Sequence, residues 1–299
     1  VWSPSGIRQL NNASLVLPYY PRTFVAPNGL VFYAGEVQTT RYLNPSGNGS
    51  WTTVGERRYG ARPYGAAVMY ELGKILYVGG GRTTNTAEII DLNQASPTWQ
   101  WTGSMAFARR SLNATVLPTG EVLATGGSSH PSLTDVSQAV HAAELWNPAT
   151  GVWTTMASNA VSRAYHSTSL LLPDGRVLHT GSGEGDGMPE ERSAELYSPP
   201  YLSRGPRPAV TDAPELVGWG TTFQVTTPDA GDIAKVSLIR LGSVTHAFDM
   251  NQRFQSLTFT RGTGALTVTA PLNGAHAPPG HYMLFLVNQN GVPSVARIV

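Results

Sequence analysis

The sequence predicts an all-β chain in two parts, a propeller of repeated four-stranded blades followed by a small β-sandwich. Composition is the first of three observations behind this. Gly at 32 and Pro at 22 in 299 residues, with only 13% charged residues, describe a turn-rich β protein rather than a helical or disordered one. The second is an internal repeat. "APNGLVFYAGE", "ELGKILYVGGG", "LPTGEVLATGG" and "LPDGRVLHTGS" each place a glycine turn before a strand of about five residues and then a second glycine-bearing break. The third is a change of pattern after residue 199, where the proline-rich "PPYLSRGPRPAV" links the repeats to a different run of strands.

Taken in chain order, "VWSPSG" at the start resembles "VWTTMAS" at 152–158, the outer strand of a blade. The chain is therefore expected to open at the end of a blade whose first strands lie upstream. The turn glycines 29, 73, 120 and 175 follow, spaced by 44, 47 and 55 residues, which is the period of kelch-type blades. A third strand comes after each hairpin: "TTRYLNP", "TAEIIDL", "AAELWNP" and "SAELYSP". Tryptophan then opens a fourth in three units, at Trp51, at Trp99 and Trp101, and at Trp153. Four blades in residues 1–203 fit part of a seven-bladed ring. A compact four-bladed ring, with Trp2 completing the last blade, is the competing arrangement. In residues 204–299 the runs "TFQVTT", "KVSLIRL", "FQSLTFT", "ALTVTA" and "HYMLFLVN" fit an immunoglobulin-like sandwich.

Several function classes receive no support. A net charge of +1 supplies no basic field for nucleic acid or an anionic membrane, and no apolar run has the length of a membrane span. With no cysteine, the chain can form neither a disulfide nor a thiolate metal site. Sequons at Asn12, Asn48 and Asn113 would accept glycans only if exposed in a secreted protein, and such triplets arise readily by chance.

The residues that point to chemistry lie in "SRAYHSTSLLLPDGRVLHTG" (162–181) and "KVSLIRLGSVTHAFDMNQR" (235–253). Together with "SAELYSPPYL" and "PPGHYMLFLVNQNGVPSVA", they resemble the closing part of the galactose oxidase and glyoxal oxidase family of copper radical oxidases. The similarity is strongest from Phe107 to Val299. It implies that Tyr165, His166 and His246 bind one copper ion near the propeller axis, and that Tyr165 is the general base toward a bound alcohol or hydrated aldehyde. Imidazole is a good Cu(II) ligand, and a phenol oxygen beside the metal can accept a proton. The resemblance also implies a small alcohol, aldehyde or carbohydrate substrate, hydrogen peroxide as product, an extracellular setting, and an upstream fragment completing the propeller.

The family stores its second oxidising equivalent on a tyrosine crosslinked to a cysteine, which these 299 residues cannot form. Tyr19, Tyr20 and Tyr64 fall near the equivalent inner-strand position of their blades. Ser111 stands where the family places an aromatic. His130, His141, His179, His276 and His281 read as structural, and "GEGDGMPEE" (183–191) as a loop rather than a calcium site. Against the oxidase stands a non-catalytic propeller and sandwich that binds a glycan or a protein.

Overall fold

The computed structural model describes residues 1–3, 6–184 and 187–299. Four antiparallel meanders make up the first part. The first sheet takes Arg22–Val25, Val31–Gly35, Thr39–Asn44 and Ser50–Glu56. Ala66–Glu71, Lys74–Val78, Ala87–Asp91 and Gln100–Trp101 form the second. The third holds Asn113–Val116, Val122–Thr125, Ala142–Trp146 and Trp153–Ser158, and the fourth Thr168–Leu171, Val177–Thr180 and Ala194–Tyr197.

Each repeat glycine sits in the hairpin between the first two strands with φ between +75° and +90°, a conformation that carries no steric penalty only when Cβ is missing. The first two strands of the third sheet are buried at every position, because neighbouring blades cover both faces. Phe32, Ala34, Ala67 and Ile75 join the first and second sheets in one core. Leu117, Leu123 and Val177 join the third and fourth.

A buried ion pair recurs between the approach to the first strand and the third strand of a blade. Arg62 pairs with Glu88 at 2.8 Å, Arg109 with Glu144, and Arg163 with Glu195 at 3.0 Å. All three guanidinium groups are fully buried. The sequence carried a signal for this, since "AEI", "AEL" and "AEL" repeat in register, but strand propensity alone does not reveal it.

Trp2–Ser3 pairs with Gly6–Ile7, so the competing arrangement in which Trp2 completes the fourth blade is not the one observed, and that sheet has three strands among the described residues. Asn113 is buried on an inner strand and donates to Ser167 Oγ, which removes its sequon from consideration.

The second part packs a three-stranded sheet (Thr222–Thr226, Ala265–Thr269, Phe259–Gly262) against a four-stranded one (Phe254–Leu257, Ile233–Arg240, Tyr282–Asn288, Arg297–Ile298). The run "FQSLTFT", read as one strand, divides at Thr258 and contributes to both sheets. Alternation along the central strands explains how the two parts join. Val236, Leu238, Leu284 and Leu286 face the sandwich core, whereas Ile239, Met283 and Phe285 enter the core of the second and third blades.

Candidate metal centre

One hairpin of the second part, Val244–Thr245 paired with Phe248–Asp249, reaches into the first. Its two-residue turn is His246-Ala247, with φ of +49° and +65°. Positive φ at both turn positions defines a type I′ hairpin, usually filled by Asn-Gly, so the segment lacks the usual sequence signal. For L-residues with a Cβ such backbone costs on the order of 1–2 kcal/mol per residue. Surrounding contacts hold it. Phe248 is buried edge-on to Phe24 at 5.6 Å. The buried Asp249 carboxylate accepts from the backbone N–H groups of Ser243, Asn251 and Gln252. Arg22, fully buried, donates to the carbonyls of Tyr20 (2.7 Å), Gly65 (3.0 Å) and His246 (3.2 Å), and pairs with Glu36 at 2.8 Å.

Four blade positions come to this hairpin with a shared backbone signature. Tyr20, Tyr64, Ser111 and His166 each lie nine residues before their turn glycine, and their φ values are +55°, +56°, +56° and +62°. The left-handed residue turns the chain just before the innermost strand. Local strain of this kind clusters at functional sites.

His166 Nε2 and His246 Nε2 face each other at 2.9 Å. The Gly183 carbonyl lies 2.8 Å from His166 Nδ1, so that nitrogen carries the proton and Nε2 presents its lone pair. On the other ring, Nδ1 contacts Thr245 Oγ1 at 2.6 Å. Burial, the neighbouring imidazole and the Arg22 charge all push the His246 pKa down, which keeps its ring neutral. Tyr20 stacks on His246 with centroids 3.6 Å apart and planes 9° from parallel.

Tyr165 stacks on His166 at 3.9 Å and meets His246 edge-on at 5.5 Å. It is buried with Ala164 and Met188, against Tyr64, Leu133 and Val136. Its pKa is driven well above the ordinary phenol value by burial, then by hydrogen bonding and charge at Tyr64, and by Glu184. Tyr64 touches Tyr165 edge-on at 5.6 Å.

The structure therefore brings Tyr165, His166 and His246 into one ring cluster and adds Tyr20 and Tyr64. Tyr19 stays outside, 86% exposed. Met188 comes from the 183–191 loop, whose residues 185–186 lie outside the described residues. Sequence reading missed Arg22 and Met188. Neither has a local signature, because both act across the fold.

The donors fit a copper ion. Two imidazole nitrogens bound at about 2.0–2.1 Å and at right angles stand roughly 2.9 Å apart, as these do. Hydrogen bonds at the opposite ring nitrogens orient them as ligands require. No group of three His, Cys, Asp or Glu suited to a metal occurs among the described residues, so a third protein donor would be a phenol.

A kelch-type propeller joined to a sandwich, with imidazoles from both parts meeting at one point, is the architecture of a propeller metalloprotein. Comparison with known proteins narrows the class. The model "Galactose oxidase-like, Early set domain" matches residues 207–299, and "Glyoxal oxidase N-terminus" matches 81–201. Galactose oxidase from Gibberella zeae is 35% identical over 295 residues, covering 91% of this chain and 43% of that protein. Aldehyde oxidase GLOX from Vitis pseudoreticulata is 35% identical over 227 residues, covering 68% of this chain and 43% of that protein. The solved structure of a fungal alcohol oxidase of the AA5 family, in complex with copper, superposes with a TM-score of 0.91 at 30% identity, over 99% of this chain and 68% of that one. The chain belongs to the galactose oxidase and glyoxal oxidase family of copper radical oxidases, and copper is the metal of that family. It spans less than half the length of the two curated relatives named.

Proposed function

We propose that the chain forms the copper-binding, C-terminal part of an extracellular oxidase that converts a primary alcohol or an aldehyde hydrate, with O₂, to the oxidised product and H₂O₂. The facing Nε2 atoms of His166 and His246, 2.9 Å apart, carry this reading. His166, His246 and Tyr165 are the proposed metal ligands. A bound copper ion would accept an electron and lower the proton affinity of a phenol beside it.

Tyr165 is the proposed base. Its burial and its Tyr64 neighbour hold the free phenol in the protonated form, so it would accept the proton of the substrate hydroxyl only once a metal beside it had lowered its proton affinity and released its own proton. Burial and the Arg22 charge favour the neutral form of His246, and Tyr20 covers one face of that ring. The aromatic and apolar wall of Tyr64, Met188, Leu133 and Val136 keeps water from the buried side of Tyr165.

Removing two electrons needs a second redox centre besides one copper ion. The 299 residues hold no cysteine for the family's crosslinked tyrosine. The chain by itself is therefore expected to bind Cu(II) without releasing peroxide. The test pairs Cu(II) titration, followed by the nitrogen hyperfine splitting in its paramagnetic resonance spectrum, with a peroxide assay over alcohols and aldehydes. Two coupled nitrogens, reduced to one in His246→Ala, support the centre. Sustained peroxide release from these residues alone would overturn the need for an outside radical site and make Tyr20 and Tyr64 the first positions to mutate.

A further inference from the structure

Between the first blade and the second part lies a cavity of about 190 Å³, lined by two arginines and, among the described residues, by no acidic one. Thr23, Phe24 and Val31 come to it from the first blade, and Arg240, Asn251 and Arg253 from the second part. The two arginines are neighbours, since the Arg240 N–H donates to the Arg253 carbonyl at 3.1 Å and the Arg240 charge acts on the Arg253 guanidinium. Neither takes part in an ion pair among the described residues. Asp249, the carboxylate nearest in the chain, is already occupied by the backbone N–H groups of Ser243, Asn251 and Gln252.

Arg253 is 5% exposed. Its Nη2 is spent on the carbonyls of Val25 (3.1 Å) and Ala275 (3.3 Å) and on the Met69 sulfur, and its Nε is sealed without an acceptor. Nη1 is neither bonded nor sealed, which leaves it as the nitrogen open to the cavity. Burial, and then the Arg240 charge, push the Arg253 pKa down to about 10 against the opposing effect of Tyr282, so the group is a cation at neutral pH. Arg240 is half-buried and gives only Nη2, to the Pro279 carbonyl at 2.9 Å. The Thr23 hydroxyl and the Asn251 side-chain amide are likewise unsealed and without a hydrogen-bond partner among the described residues. Leaving a guanidinium this buried without a counter-charge costs free energy, which an anion in the cavity would offset.

We infer that this cavity binds one small dianionic oxyanion of the sulfate or phosphate type, held between Arg240 and Arg253 with Thr23 and Asn251 as further donors. Guanidinium forks match the geometry of oxyanions, and one dianion neutralises both charges. A water molecule occupies about 30 Å³ in the liquid, so the cavity has room for a five-atom ion. The bound ion would join Thr23 of the first blade to Arg240, Asn251 and Arg253 of the second part, the last two lying just beyond the hairpin that carries His246. It fastens the two parts together whether or not a metal is bound, and does not depend on the oxidase reading.

The test is calorimetric titration of sodium sulfate into the whole 299-residue chain without copper, at constant ionic strength with chloride as the balancing anion. One sulfate should bind per chain, and acetate, with half the charge, should bind about tenfold more weakly or worse. Arg240→Gln should weaken sulfate roughly 10- to 100-fold. Asn251→Asp sets a carboxylate beside the two guanidinium groups, so it should abolish sulfate binding while the melting temperature stays at or above that of the parent. Arg253 is left in place because its bonds to Val25, Met69 and Ala275 hold the packing. No saturable sulfate binding below about 10 mM, or sulfate affinity unchanged in both folded variants, overturns the site. Acetate binding as tight as sulfate overturns the assignment to a dianion.

Discussion

Replacing Arg22 with methionine should destabilise the protein and loosen the metal centre together, since this one side chain fastens the His246 turn to two blades. Its guanidinium donates to three carbonyls, from Tyr20, Gly65 and His246, and pairs with Glu36 at 2.8 Å. Arg22 is fully buried and the Glu36 side chain is 13% exposed, so methionine would fill much of the space but leave a nearly buried carboxylate without its cation. Removing one partner of such a pair costs about 3–5 kcal/mol. For a chain of this size that corresponds to a fall in melting temperature on the order of 10 °C. The left-handed turn at His246-Ala247 would lose the donor that holds its carbonyl, and Cu(II) affinity should fall in the same variant. Calorimetric melting and Cu(II) titration of Arg22→Met measure both effects. Adding Glu36→Gln removes the stranded charge, so Arg22→Met/Glu36→Gln should regain part of the stability while copper binding stays weak. A melting temperature within a degree or two of the original, or full recovery of copper affinity in the double variant, would refute the clamp.

Three further outcomes follow from named contacts. Burial and then the Arg163 charge lower the His179 pKa to about 4, against roughly 6.5 in the unfolded chain. Stability is therefore complete above about pH 6.5 and declines as pH falls through 4, by on the order of 3 kcal/mol; denaturant midpoints across this range should lose that part of their slope in His179→Gln. Gln252 donates to the Ala114 carbonyl and accepts from the Val116 N–H, tying the hairpin segment to the third blade. Gln252→Leu strands both groups, costs about 1–3 kcal/mol for each, and should speed hydrogen exchange at Val116. In an enzyme carrying its complete radical centre, Tyr165→Phe should abolish turnover by removing the proton acceptor while the two-nitrogen copper spectrum persists, and retained turnover would assign the base elsewhere.

Much of the fold was legible because its determinants are local. A turn glycine at φ near +80° recurs at Gly29, Gly73, Gly120 and Gly175, and the strands on either side follow from β-branched and aromatic runs. Where the signals were weak, the reading failed. Residue types let Trp2 stand as a possible fourth strand of the last blade, yet its pairing is with Ile7, because strand propensity does not choose a partner. "FQSLTFT" looked like one strand because the corner at Thr258 has neither glycine nor proline to mark it.

For the site, the sequence by itself determined the chemical types and their places in the repeat: a Tyr-His pair before the innermost strand of the fourth blade, and a histidine in the second part. It also settled that no cysteine is available to a radical cofactor within these residues. Only the tertiary structure decided that His246 crosses 80 residues of chain to meet His166, that Tyr20 stacks on it, and that Arg22 holds its turn. The physical reason is range. Backbone preferences and side-chain alternation act over a few residues, whereas a ligand pair, a ring stack and a buried clamp arise when separate elements pack, and packing is satisfied only by the whole fold.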